Sequence, residues 1–553
     1  MKLLTFCFLF FAAHLSAQPP NIDRDIFDPL VAEIKRSEKL QLEDYPKPYF
    51  LSFRVSQYKA NEILASGGQI LYSAQTGGGY LLPEVRVGNY DFDESPDTWE
   101  SSQVRGFVWN SDDPKVTRQH LWFVTDGEYK AACNLYNQKK AKRSAEGIPD
   151  YVTDDFTREK AMRYSSHEGA TSAGVFSGYS TETIKRISLL LSQDPRIYYS
   201  QIRLSAKFVT VHFVNSEGTE IVYDRPEAVI YFSLSGQSKK GLALEVSKNF
   251  YVPDPKQLPT EELLKKEVAQ LQDSYFRLWA SSEAHGMSGP CLLDAAAASQ
   301  LMIAFASRLE GERQRDPNEP QTFRDKIGEN VLPAFLTLTD DPTMESYKGQ
   351  KLMGHYIFDE EGVTPQPVAL IDQGVLKGFL LSRRPIKGLP LKSNGHGRAD
   401  PYSSAHARVG NLMISSERKK SDADLRAMLL EEIRNKKLPF GIIIEGLEAF
   451  HPESKTGSHQ TFRAKPELLY YLYADGHQEL VQNGEIVGTP INLMQSILAT
   501  SDREEVFNLT QEGSGGTIAA SVVTPAILVS EIEVQKGSEQ PMRLPILKSP
   551  LAE

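Results

Sequence analysis

Between Ala295 and Phe305 the chain reads Ala-Ala-Ala-Ala-Ser-Gln-Leu-Met-Ile-Ala-Phe. A helix with apolar side chains on nearly every side cannot rest on a surface; it has to be enclosed by other elements. The chain has the means, since 553 residues suggest two or three domains around such an element. Gly289-Pro290 reads as the turn that delivers the backbone into this helix. Asp294 suits its first turn, and Gly311 suits a left-handed C-cap just after Leu309. A buried helix behind a tight turn is a common mount for a reactive group. Here the middle turns, Met302 to Ser307, hold no titratable side chain.

Hydrophobic residues make up 40% of the chain and charged residues 24%, the balance of a globular protein. A net charge of −11 gives no overall attraction to nucleic acid. Lys2 followed by the apolar run Leu3 to Leu15, then Leu15-Ser16-Ala17, reads as a signal peptide over residues 1–17. That run is too short to span a bilayer, so export to the periplasm or beyond, without a membrane span, is expected. Cys7 leaves with the signal. Cys133 and Cys291 remain, too far apart in sequence to form a disulfide framework; they read as two semi-buried thiols, with pairing in an oxidising compartment as the alternative.

Apolar spacing predicts helices over 22–40, with Ile26, Leu30 and Ile34 inward, around Ile184 to Leu191, and after Pro259 along Leu264, Val268 and Leu271. Thr125-Asp126-Gly127-Glu128 is a capping-box pattern that would open a further helix. The run Lys139 to Arg143 reads as the solvated end of that helix, because no aromatic residues interleave the charges as a nucleic-acid site requires. Alternation predicts strands over 49–55, 80–87, 208–213 and from Ile221, with turns at Gly67-Gly68, Gly77-Gly78-Gly79 and Ser216-Glu217-Gly218. In the second half Ser421 opens one helix, and hairpins are expected at 368–381 and 468–481, with a single strand over 526–534. The expected class is α+β: an N-terminal α/β domain over 18–285 and a C-terminal antiparallel, barrel-like β domain over 286–553, divided at Ser281 to His285.

Several segments, taken in order, resemble the TldD/PmbA family, zinc metallopeptidases once named modulators of DNA gyrase. They are Leu82 to Gly88, Asp340 to Thr343, Phe358 to Val363, Leu370 to Gly378, Ser393 to Arg398, Arg408 with Asn411, Val487 to Pro490, and the strand after Pro525. The resemblance covers nearly the whole chain after the signal. It implies a peptidase fold whose active members carry a His-Glu-x-x-x-His helix ending near a Glu-Gly pair, with a distant Cys. Two imidazoles and a thiolate would hold zinc, and the Glu would take a proton from bound water. Counted back from Glu310-Gly311, the first His position is Met302, the Glu is Ile303 and the second His is Ser307. Counted back from Pro525, the Cys position is Gln511. A thioether, a hydroxyl and an amide are poor zinc ligands, and an isoleucine is no base. The resemblance therefore implies no catalytic residue and no cofactor here, zinc belonging to the active relatives.

His396 lies between two glycines, with Asn394 before it and Arg398 after it. These three are the candidate substrate-binding residues: glycine would admit a peptide and arginine would take a carboxylate. A structural turn with a surface histidine explains the same pattern. His406, His451 and His459 show no ligand spacing that would build a separate metal site with His396. Gly513 to Gly516 lacks the lysine and the strand-loop-helix frame of a phosphate cradle.

By resemblance, such a chain would line a peptide chamber as a non-catalytic subunit, in a heterodimer with a zinc-bearing relative or as a homodimer, holding unfolded peptide. A stand-alone peptide-binding scaffold and a peptidase with an unrecognised site are the alternatives.

Overall fold

The computed structural model describes residues 24–96, 106–109, 113–147, 154–167, 179–316, 322–389, 392–449, 462–513 and 515–541. The signal-like segment, His451 and His459 lie outside these.

Two long antiparallel hairpins build the N-terminal region. Pro48–Ser66 pairs with Gln69–Val87, Ile197–Asn215 pairs with Glu220–Gln237, and Pro48–Ser66 joins them by pairing with Ile197–Asn215. At about 3.3 Å per residue these strands run roughly 60 Å, far longer than the 49–55 and 208–213 segments read from alternation. The excess has a simple cause: each end of the ribbon has its own helices. Arg24–Ser37 and Pro114–Glu146 cover one end through Phe27, Leu30, Leu121 and Tyr129, packed on Leu51, Phe53 and Val85. Thr181–Leu191 and Glu261–Ala280 cover the other through Ile187, Val268 and Tyr275, packed on Ile202, Phe232 and Leu234.

The C-terminal region is organised on the strand Ile518–Lys536. It pairs antiparallel with Ile497–Gln511, Met287–Leu293 and Gly484–Gly488, and parallel with Asn411–Ser416. The α+β class with a β-rich C-terminal region is as expected; the resulting 14-stranded sheet adds parallel pairs to the antiparallel ones and does not close into a barrel. Helix Ala295–Ala306 packs on one face with all of Leu301 to Ala306 buried, as its composition requires. Helix Asp422–Asn435, capped by Ser421, contributes Leu425, Leu429 and Ile433 to a separate cluster with Ile443 and Leu528.

Several local readings change. Gly289-Pro290 is no turn; it lies in Met287–Leu293, where the pairing to Ile518–Lys536 shifts register between Val529 and Ile532. A bulge is where a strand tolerates a proline without an N–H to donate. Gly311 opens a short helix, Gly311–Arg315, instead of capping one; a Cβ there would lie 2.8 Å from Leu381 Cδ2. Gly77 to Gly79 stay within the strand Gln69–Val87, the last because a side chain would meet the Trp109 carbonyl at 2.9 Å. The capping box at Thr125 falls in mid-helix, where the hydroxyl bonds back to Leu121 O at 2.7 Å; Asp113, followed by Pro114, is the true cap. The expected strand 375–381 shrinks to Val375–Leu376.

The cationic run at the end of that helix is only half solvated. Lys140 and Lys142 are exposed, but Lys139 and Arg143 are buried, and Lys139 Nζ donates to Asp155 Oδ2 at 2.5 Å. Cys133 and Cys291 are both buried and both free. Among the described residues no helix is long and apolar enough to cross a membrane.

Candidate functional site

Asp294 fixes the start of the central helix. Its carboxylate accepts from Ala297 N at 2.7 Å and from Gly446 N at 3.0 Å, locking the helix to the strand Phe440–Leu447. Met302 and Ile303 then sit in the main core, 0% and 2% exposed. The Ser307 hydroxyl donates to Ala304 O at 2.9 Å and is buried with them. Gln511 ends the strand Ile497–Gln511 and is 1% exposed, and neither end of its amide finds a hydrogen-bond partner among the described residues.

Directly after the helix comes a buried ionic segment that sequence reading passed over. Glu310 accepts from Arg313 at 3.0 Å and from Arg408 at 3.3 Å. Glu312 accepts from the Ser382 hydroxyl and from Ala407 N, and burial pushes its carboxyl above the usual range. Glu-Gly-Glu-Arg-Gln-Arg looks like a surface segment by composition, and only its long-range partners explain its burial.

The Gly-rich loop is braced, not open. His396 is fully buried, with Nε2 at 3.1 Å from Asp340 Oδ1 and Nδ1 at 2.9 Å from Asn394 Oδ1, so the surface-histidine reading does not hold. Asn394 Nδ2 donates to Phe379 O at 2.8 Å, and its Oδ1 also accepts from Leu381 N at 2.9 Å. Arg398 donates from Nε to Glu360 Oε2 at 2.9 Å and lies 4.0 Å over the Tyr356 ring. Gly395 has a φ of +73°, and a Cβ there would lie 2.5 Å from Pro365 Cα. At Gly397 a side chain would strike the Glu361 carboxylate. Both glycines serve close packing. His406 pairs across from Arg398 and is held neutral by burial and by Arg384, Arg408 and Arg313, a setting that repels a metal cation.

The sequence profile of the PmbA/TldA metallopeptidase C-terminal domain matches residues 286–536. TldE from Thermococcus kodakarensis superposes with a TM-score of 0.62 over 92% of this chain and 100% of that one, at 16% identity. Over residues 286–536 the chain belongs to the TldD/PmbA family. The metalloprotease TldD homolog of Haemophilus influenzae is 25% identical over 237 residues, 42% of this chain and 45% of that protein. Metalloprotease MJ0996 of Methanocaldococcus jannaschii is 34% identical over 112 residues, 20% of this chain and 23% of that protein. These matches span less than half the length of the curated TldD/PmbA relatives.

The zinc of active TldD/PmbA members does not fit the residues present here. Met302 offers a neutral thioether inside a hydrocarbon cluster, Ser307 is tied to its own helix, and Gln511 offers an amide. Among the described residues no group of three or more His, Cys, Asp or Glu could hold a metal.

The TldD/PmbA-like segment Phe358 to Val363 carries the strongest acid shifts near the loop. Asp359 accepts from the backbone N–H groups of Val363, Glu361 and Gly397 at 2.8 to 3.0 Å, yet burial pushes it up to about 7. Burial and the neighbouring Asp359 push Glu361 up as well. An acid that keeps its proton more tightly when folded makes stability fall as pH rises from the unfolded carboxyl range of about 4 to the folded value of about 7. Asp359→Asn is expected to flatten that fall by ~2 kcal/mol. Urea unfolding at pH 4.5, 6 and 7.5 (about the span of the two values) checks it; parallel curves for both proteins would refute the shift.

Proposed function

We propose that this chain is an exported, zinc-less TldD/PmbA protein that holds unfolded peptide without cleaving it, lining a chamber with a zinc-bearing relative or with a second copy of itself. One observation carries the reading: all the positions that supply metal and base in active members are here filled by side chains committed to the core, Met302, Ile303 and Ser307, or by an amide, Gln511. The N-terminal apolar run after Lys2 supports export. Membership of a family that includes metalloproteases supports the peptide ligand.

The deciding measurement is metal analysis of the purified chain joined to hydrolysis of an unfolded protein substrate, with and without a chelator. Less than about a tenth of an equivalent of zinc and no cleavage are expected. Stoichiometric zinc with chelator-sensitive cleavage overturns the proposal. Metal-free cleavage overturns it too and points to a peptidase with an unrecognised site. Co-purification with a zinc-bearing relative separates the heterodimer from the stand-alone scaffold.

A further inference from the structure

Where the N-terminal ribbon meets the C-terminal region, three guanidinium groups crowd one carboxylate. Arg225 Nη1 donates to Glu360 Oε1 at 3.0 Å and Arg398 Nε to Oε2 at 2.9 Å. Buried Arg54 donates to the main-chain oxygens of Glu360, Asp400 and Ser403 at 3.4, 2.7 and 2.8 Å. That leaves Arg54 Nε, Arg225 Nε and Arg398 Nη1 buried without an acceptor among the described residues.

Arg225 and Arg398 line a groove of about 400 Å³ between the two regions, and the Arg398 side chain is only 4% exposed. The other charges along the groove are already matched. Lys207 lies 3.5 Å from Glu227, Glu62 lies 3.3 Å from Arg203, and Asp400 Oδ1 accepts from Tyr402 N at 2.9 Å. Even with Asp400 counted beside Glu360, three guanidiniums face two carboxylates. Orphaned cationic donors in a buried site are unfavourable unless something supplies the missing acceptor. The flank is aromatic: Tyr58 and Tyr80 stack at 5.5 Å with planes 6° apart, and Tyr402 meets Tyr80 edge-on at 4.2 Å.

We propose that this groove binds a peptide through a carboxylate, either its C-terminal group or an acidic side chain. The carboxylate sits against the guanidinium groups of Arg225 and Arg398 that line the groove, and the neighbouring residue packs on the tyrosines. Arginine forks match carboxylate geometry, and tyrosine faces add contact area at low entropic cost. The volume is within the range of small-ligand sites. The inference rests on the peptide-holding reading above and adds the chemistry that selects the peptide.

Calorimetric titration of the full chain with three acetylated hexapeptides tests it. One is neutral with an amidated end, one is the same with a free carboxylate, and one is amidated with a central Asn replaced by Asp. At least one acidic peptide is expected to bind about tenfold or more tighter than the neutral one, and the two acidic arms tell which carboxylate is read. Arg225→Gln, on a partly exposed side chain, should erase the preference and bring the acidic peptides to the affinity of the neutral one. Equal affinities for all three overturn the carboxylate site and leave peptide holding intact. No binding by any peptide overturns both.

Discussion

Asp155→Ala is expected to lower the unfolding free energy by about 3–5 kcal/mol, the cost of stripping a buried ion cluster of the carboxylate that its cations share. The Asp155 side chain is fully buried. Its Oδ2 accepts from Lys139 at 2.5 Å and from Asp93 N at 3.0 Å. Its Oδ1 accepts from Arg315 at 2.6 Å and lies 3.3 Å from Lys387. Those cations come from the long N-terminal helix, from the short helix after the central one, and from a C-terminal loop. The carboxylate thus bonds the two regions together. Removing it leaves buried Lys139 and Arg315 without the carboxylate that bridges them, and like charges at short range repel more strongly the lower the local dielectric. The exposed pair Lys130–Asp126, at 2.7 Å, is the control: Lys130→Ala should change stability by no more than ~0.5 kcal/mol. Urea midpoints of both variants against the parent decide the matter. A loss at Asp155 no larger than at Lys130 would mean the cluster is hydrated and not structural.

Ile303→Glu introduces the acid that the family resemblance implies at this position, and here it should be severely destabilising. Ile303 is 2% exposed among Met302, Phe305 and Leu301, with no cation on the helix between Ala295 and Ala306. An unpaired carboxylate in such a place costs several kcal/mol or stays protonated well above its usual range. Met302→Leu, which conserves volume, should cost under ~1.5 kcal/mol. Added zinc should not rescue the Glu variant, since Met302 and Ser307 still flank it. The readouts are soluble yield and thermal unfolding with and without zinc. An Ile303→Glu protein as stable as the parent, or one that zinc stabilises, would show that a polar metal pocket persists around the helix.

Much of the local structure was legible because it depends on neighbours in the chain. Helix 24–37, the hairpin turning at Gly67-Gly68, the Ser421 cap and the hairpin through Ala474-Asp475-Gly476 each carry periodicity and turn chemistry within a dozen residues. The misreadings share one cause. Glycines at 77–79, 311 and 397, and the proline at 290, signal turns when read alone, but here they admit a neighbouring strand, side chain or bulge that lies far away in sequence. Lys139 reads as a solvated cation in the sequence because its partner, Asp155, lies outside its helix.

The amino-acid order alone determined that residues 295–306 must be enclosed and that their helix carries no titratable side chain, since both follow from side-chain chemistry. Which charges end up buried was decided only in three dimensions. Burial of Asp155, Glu312, Arg398 and His396 depends on partners dozens to hundreds of positions away, and the free energy of a buried charge is set by whatever surrounds it in space.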